Sequence, residues 1–393
     1  MFDPAAWIRE HAFPERVPAD YARIGLEVEL LSLDADTHLP IAVQNRLLPL
    51  LFNWACARGG SVETGAKGAA CVRMPGGGAF TVEPGGQLEY ATPPYREPSR
   101  LIRHLDSILP PLVDAAADQG ILLLGSGIDP FNDPSQAPLQ LLSDRYCWMD
   151  AYFTSIGPAG RRMMRQTAAV QVNVDAAGAP EAFWKFLNAA APYFTALFAN
   201  SRTYAGRDTG CASFRAETWR AADPHRTGIF TCQQDAVTEY ARFACAAPVL
   251  SVRAENGYAA FEECWRDGLV TEANWPDHLT TLFPEIRPKR YFEVRSMDAQ
   301  PPEHLALPVL LCAGIAFDSE ALAAASEVVG APDRDLLTAA GREGLSSGVL
   351  AARCRDLVGI ALDGCRRLDQ ERCSVEDLER ARERALALLS IGG

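Results

Sequence analysis

Four stretches of the chain alternate apolar and polar side chains with a period of two, the pattern of a strand with one buried face. Over residues 21–33, Ile24, Leu26, Val28 and Leu30 alternate with Gly25, Glu27, Glu29 and Leu31. Over 80–94, Phe80, Val82, Leu88 and Tyr90 form one face, and Thr81, Glu83, Gln87 and Glu89 the other. Pro84-Gly85-Gly86 interrupts this second stretch and predicts a bulge or tight turn that re-aims its carboxylates. Over 169–175, Val170, Val172 and Val174 alternate with Gln171, Asn173 and Asp175. Over 290–297, Tyr291, Glu293 and Arg295 alternate with Phe292, Val294 and Ser296. Shorter strands are predicted at 121–124 and 249–253.

The remaining apolar spacing is helical. Helices are predicted over 41–58, ended by Gly59-Gly60, and over 99–119, with a kink or break at Pro110-Pro111. A helix over 144–156 carries Arg145 and Tyr146, and Gly157-Pro158 separates it from one over 161–167 bearing Arg161, Arg162 and Arg165. Residues 181–200 and 259–265 also read as helices. The polar stretch 201–231, with Arg215, Trp219, Arg220 and Arg226, reads as a loop region. From 305 onward the chain is almost wholly helical, at 305–328, 333–340, 349–368 and 375–390. No repeat, low-complexity tract or long linker divides it, so a single catalytic domain over 1–393 is expected, with a helical portion over about 305–393.

Composition narrows the class. A hydrophobic share of 48% with 22% charged residues can build a sizeable core. Net charge of −13 argues against a nucleic-acid partner or an anionic membrane surface. Eleven Cys, with no C-x-x-C pair, suggest neither a disulfide framework nor a zinc knuckle, and fit a reducing cytoplasm. The N-terminus carries no signal-peptide pattern, and no apolar run is long enough to span a bilayer. No P-loop sequence is present.

One strand with alternating Glu is most simply a solvated sheet face. Four such strands in one sheet would line a cavity with Glu27, Glu29, Glu83, Glu89 and Glu293 beside Gln171, Asn173 and Arg295. Five carboxylates facing one space repel each other, and burying them unpaired costs several kcal/mol per charge. Cations relieve this, and hard oxygen donors without Cys or His select Mg²⁺ or Mn²⁺ over zinc. Such a cavity next to Arg suits ATP phosphates. For Arg161, Arg162 and Arg165 a solvated helix face is the simpler reading, and Trp219 is equally a packed core aromatic.

At these residues the chain resembles the second family of glutamate–cysteine ligases, which includes plant enzymes and bacterial ergothioneine-pathway enzymes. The resemblance rests on Ile24-Gly-Leu-Glu-Val-Glu29, Val82-Glu-Pro-Gly-Gly-Gln-Leu-Glu89, the stretch from Arg162 to Asp175, Ala196-Leu-Phe-Ala-Asn-Ser201, Asp223-Pro-His-Arg-Thr-Gly228, the stretch from His278 to Arg287, and Tyr291-Phe-Glu-Val-Arg-Ser-Met-Asp-Ala-Gln-Pro301. It implies an α+β fold like that of glutamine synthetase, a curved, mostly antiparallel sheet with an acidic inner face wrapped by helices. It implies a cytoplasmic enzyme of thiol biosynthesis that uses ATP to phosphorylate the γ-carboxylate of glutamate and joins it to the amine of cysteine. Carried over, Glu27, Glu29, Glu83, Glu89, Gln171 and Glu293 would bind Mg²⁺, or Mn²⁺. Arg295 and Asn173 would contact ATP, and Arg295 and Arg165 would act in catalysis. Arg165, Arg145, Arg215 and Trp219 would hold the amino-acid substrates. Asp129-Pro-Phe-Asn-Asp133 and the loop over 206–213 depart from the family pattern and are expected to border the acceptor pocket, which leaves open another amine of a specialised pathway. A non-catalytic scaffold of the same fold is the third reading. Neutralising Glu83 or Glu293 is expected to abolish turnover and leave the fold intact.

Overall fold

The computed structural model describes residues 2–64, 70–252 and 257–391. The chain begins with α1 (Pro4–His11), β1 (Ile24–Asp34), α2 (Leu48–Cys56), β2 (Ser61–Thr64), β3 (Ala70–Arg73), β4 (Ala79–Val82), β5 (Leu88–Ala91), α3 (Pro98–Ala117) and β6 (Ile121–Leu124). It continues through α4 (Asp144–Ile156), α5 (Pro158–Gln166), β7 (Ala169–Val174), α6 (Pro180–Leu197), β8 (Thr203–Tyr204), β9 (Arg207–Asp208), α7 (Phe214–Ala222) and β10 (Thr227–Gly228). Next come α8 (Ala236–Ala246), α9 (Phe261–Arg266), α10 (Trp275–Leu279), β11 (Phe283–Pro284), β12 (Ile286–Pro288) and β13 (Phe292–Asp298). Five helices close the chain: α11 (Ala306–Ala316), α12 (Ser319–Val329), α13 (Arg334–Glu343), α14 (Gly348–Arg367) and α15 (Val375–Ile391).

The four alternating stretches meet in one open sheet of nine strands, ordered β12-β13-β7-β1-β5-β4-β3-β2, with β6 on the far half of β1. Every pairing in it is antiparallel. Its apolar face is the one the alternation predicts: Ile24, Leu26, Val28, Phe80, Leu88, Tyr90, Val170, Val172, Val174, Phe292 and Val294 are all buried. Each such side chain contributes about 1.5–3 kcal/mol relative to an exposed one. They pack in the same core as α11, whose residues are buried on all sides, and as the flanking faces of α3, α6 and α14. Among the described residues no single helix is long and apolar enough to cross a membrane.

Of the bulge or tight turn expected at Pro84-Gly85-Gly86, the structure has the tight turn, a hairpin between β4 and β5. Val82 pairs with Leu88, Glu83 N–H donates to Gln87 O (2.9 Å), and Gly86 adopts φ 95°. Gly85 lies against the backbone of Arg165, where an added Cβ would fall 2.1 Å from the carbonyl oxygen. Gln87 Nε2 ties the turn to α5 by donating to Thr167 O (2.8 Å). The bulge lies instead in β13, between Val294 and Met297. It returns Met297 to the core, where strict alternation would have turned it outward.

Five local expectations are corrected. Pro110 and Pro111 do not break α3, because one continuous stripe of Leu101, Leu105, Leu109, Leu112 and Ala116 stays buried through them. The predicted helix 41–58 starts as a π-helical turn over Val43–Leu47 before α2. The stretch 201–231 contains α7, whose first turn is capped when Ser213 Oγ accepts from Ala216 N–H (3.0 Å). Residues 249–252 form no strand, only a bridge at Pro248 to Ala260, and Arg253 lies outside the described residues. The expected helix 305–328 is two, bent by 103° where Asp318 caps α12.

Candidate active site

Antiparallel register decides which polar side chains share the outer face. Glu27 stands opposite Gln171 on one side and Ala91 on the other, and Glu29 opposite Glu89, which in turn faces Thr81. One register step away Glu293 faces Asn173 and Arg287. Directly opposed residues point to the same side and adjacent strands are about 4.8 Å apart, so the expected row forms across β13, β7, β1 and β5. Glu83 joins it from the hairpin tip. Hydrogen bonds fix the row. Gln171 Nε2 donates to Glu29 Oε1 (2.8 Å), Ala169 N–H to Glu29 Oε2 (2.8 Å), Asn173 Nδ2 to Glu27 Oε1 (3.0 Å) and Thr81 Oγ1 to Glu89 Oε1 (2.7 Å).

Electrostatically the row has two ends. At the β5 end, burial and then the neighbouring carboxylates push Glu29 and Glu83 up to about 7 and Glu89 up to about 8. At the β13 end Glu293 is surrounded by cations: Arg287 Nε at 2.6 Å, Lys289 Nζ at 2.9 Å and Arg295 Nη1 at 2.7 Å. Burial alone would raise its pKa, but these three outweigh burial and hold it well below the carboxylate range. Lys289 Nζ also lies 3.9 Å from Glu27.

A cavity of about 80 Å³ opens on the acidic end, lined by Glu29, Glu83, Arg145, Tyr146, Trp219 and Arg295 and floored by Met149, Met163, Met164 and Phe283. Arg295 is held by Glu293 and by Gln171 Oε1, and its guanidinium lies 5.3 Å from the Trp219 ring. Arg145 is anchored on Thr280, Nη2 donating to the carbonyl (2.8 Å).

Two expected members sit elsewhere. Arg165 does not line this cavity: its guanidinium is engaged by Asp150 on α4 and by Ala137 O (3.3 Å), because α5 turns it away from the sheet while Met163, Met164 and Thr167 face inward. Arg215 is buried, 3.7 Å from Asp298, donates to Arg295 O (2.8 Å) and stacks 4.9 Å from Trp219, so it positions Arg295 from behind. The departing segments at 129–133 and 206–213 touch each other, Gly206 N–H donating to Pro130 O (2.8 Å), beside a separate cavity of about 500 Å³ and not at the acidic one.

Arg287, Lys289, Tyr146 and Asp298 have no role assigned from the sequence alone. The signal for the first two was the alternation Glu285, Arg287, Lys289 against Ile286 and Pro288, masked by the prolines. Asp298 accepts from the hydroxyls of Ser201 (2.6 Å) and Ser213 (2.8 Å) and from the Asn200 backbone N–H (2.8 Å), contacts that only the tertiary fold supplies.

Among the described residues no three His, Cys, Asp or Glu side chains converge as a finished metal cage. The donor set at the β5 end nonetheless suits a hard divalent cation: three half-buried carboxyls share one space, each raised by desolvation and then by a neighbouring carboxylate's charge, and all donors are oxygen. Asn173 Oδ1 and Trp219 Nε1 are buried without a hydrogen-bond partner. Gln171 has both ends of its amide engaged, so it braces Glu29 and Arg295 and has no free oxygen for a cation.

An open antiparallel sheet with such a face, wrapped by helices, defines an α+β protein of the type seen in carboxylate–amine ligases. The profile of glutamate-cysteine ligase family 2 (GCS2) matches residues 23–390, and the chain belongs to this family. It is 35% identical over 250 residues to the glutamate–cysteine ligase EgtA of Mycolicibacterium smegmatis, which covers 58% of this chain and 57% of the relative. It is 30% identical over 328 residues to the chloroplastic glutamate–cysteine ligase of Arabidopsis thaliana, covering 78% and 61%. The matches thus span about three-fifths of those relatives' length. In fold it is similar to a glutamate–cysteine ligase from Francisella tularensis crystallised with AMP, with a TM-score of 0.55 at 12% identity, over 97% of this chain and 84% of that one.

Proposed function

We propose that the chain is an ATP-dependent ligase that activates the γ-carboxylate of glutamate as an acyl phosphate and joins it to the amine of cysteine. The observation that carries this reading is the gathering of Glu27, Glu29, Glu83 and Glu89 on one sheet face beside Arg145, Arg295 and Lys289. Glu27, Glu29, Glu83 and Glu89 would hold Mg²⁺, which when bound supplies charge neutralisation to the phosphates. Arg295, a fixed planar cation, faces the charge that spreads over the transferred phosphoryl oxygens. In the first step a γ-carboxylate oxygen of glutamate attacks the terminal phosphorus and the bond to ADP breaks. In the second the amine attacks the acyl carbon, phosphate leaves with the C–O electron pair, and the nitrogen gives up a proton. No side-chain nucleophile enters, so the work is positioning and charge stabilisation. Arg145 is placed to meet a substrate carboxylate at the mouth, and the Met149, Met163, Met164 and Phe283 floor suits a small soft side chain such as a thiol.

The test is phosphate release from ATP and Mg²⁺ with glutamate and a panel of amine acceptors. Release dependent on both glutamate and cysteine supports the reading. Release as strong with another amine moves the acceptor to a different compound, and none with any acceptor sinks the ligase reading.

A further inference from the structure

A second cavity, of about 490 Å³, flanks the cationic end of the row and is lined by Trp7, His11, Tyr240, Arg145, Arg287 and Lys289. Arg145 borders both this space and the acidic cavity, so the two lie on either side of one side chain. Its outer wall is α1, which precedes the first residue matched by the family profile. Trp7 and His11 are one helical turn apart and stack, with ring centroids 4.7 Å apart at 18°, and His11 Nδ1 lies 3.0 Å from Trp7 O. The wall is fastened to the segment carrying Lys289: Arg290 N–H donates to Ala12 O (2.6 Å) and the Arg290 side chain to Glu10 O. A flat aromatic pair thus shares one cavity with three cations, of which Arg287 and Lys289 pair with Glu293 and Lys289 also lies near Glu27.

Resting on the ligase reading above, we propose that this cavity takes the nucleoside end of ATP, with the base on the Trp7–His11 pair and the phosphates running past Lys289, Arg287 and Arg145 toward the carboxylate row. The polarity follows from charge. A polyphosphate is stabilised where cations exceed carboxylates, which is the β13 end, and a purine gains its affinity from a π-face, which α1 supplies. The volume lies within the range of small-molecule sites. Trp7 and His11 would then set affinity for the nucleoside without touching the reacting atoms.

Calorimetry on the full chain separates the two contributions, using ADP and inorganic tripolyphosphate as probes. Trp7→Ala is expected to weaken ADP about tenfold, the effect of losing one base–aromatic stack, and to leave tripolyphosphate unchanged. Lys289→Met is expected to weaken both. His11→Ala, at an exposed position, is expected to weaken ADP at least threefold, and it decides the matter should Trp7→Ala fail to fold. ADP affinity unchanged in the aromatic variants, or an equal loss for ADP and tripolyphosphate, overturns the assignment. Wild-type phosphate release separates this from a failure of the ligase reading: turnover with unaltered ADP binding in the variants sinks only the base platform.

Discussion

Without divalent cations, the folded protein should lose stability as pH rises from 6.5 to 8.0. Glu29 and Glu83 titrate near 7 and Glu89 near 8, against 4.5 for an ordinary glutamate. At pH 6.5 an unfolded chain has already ionised all three, while the folded protein still holds most of their protons and releases them only as pH rises across the window. The stabilisation is full below about 4.5 and drains away as pH rises through 7 to 8. Between pH 6.5 and 8.0 a carboxyl titrating near 7 surrenders roughly 0.8 kcal/mol and one near 8 roughly 1.6, so the trio costs on the order of 3 kcal/mol. Access of water from the cavity makes this an upper figure. Lowered His104, His278 and His304 act in the opposite sense but below about 6.5, which sets the lower edge of the window. With an unfolding entropy of about 2.1 cal/mol/K per residue, the loss corresponds to a Tm lower by about 4 °C at most. Differential scanning calorimetry with chelator at the two pH values reads it directly. Glu83→Gln should shrink the fall by about half, since it removes one titrating group and its repulsion on Glu89, and added Mg²⁺ should flatten it in the wild type. A wild-type Tm that is flat or rises over this window refutes the picture of mutually raised carboxyls.

Glu293→Gln should behave oppositely to Glu83→Gln, because it leaves Arg287, Lys289 and Arg295 crowded around a neutral amide. A loss of about 3–5 kcal/mol is expected by chemical denaturation, together with loss of turnover, which revises the expectation that either charge can be deleted without harm to the fold. Gly85→Ala should drive the hairpin off α5 and cost roughly 1–3 kcal/mol with a fall in kcat; wild-type stability would show that the turn has slack. Arg165→Met should lower Tm through the lost Asp150 pair while leaving the KM for glutamate within about twofold; a large KM rise would place Arg165 at the substrate after all.

The sheet was legible because its code is local: Ile24–Leu30, Leu88–Tyr90 and Val170–Val174 alternate cleanly, and opposed positions on neighbouring strands then share a face. The alternation alone therefore puts Glu27, Glu29, Glu89 and Glu293 on one side. The charge balance was not legible. Arg287 meets Glu293 only through the β12–β13 register, and Asp298 organises Arg215, Ser201 and Ser213 from three separate segments. Arg165 shows the converse: its spacing from Gln171 says nothing of which way α5 turns it. Helix α7 was hidden because a short amphipathic helix rich in Arg and Trp has the composition of a loop, with only the Ser213 cap to announce it.

On this reading the acidic face turns the γ-carboxylate of glutamate into an acyl phosphate, which the amine then displaces. Glutamate carrying ¹⁸O in its γ-carboxylate, incubated with the protein, ATP, Mg²⁺ and cysteine, tests it by mass spectrometry of the released phosphate. One ¹⁸O atom transferred to each phosphate formed is expected; phosphate released without label rules out the acyl phosphate.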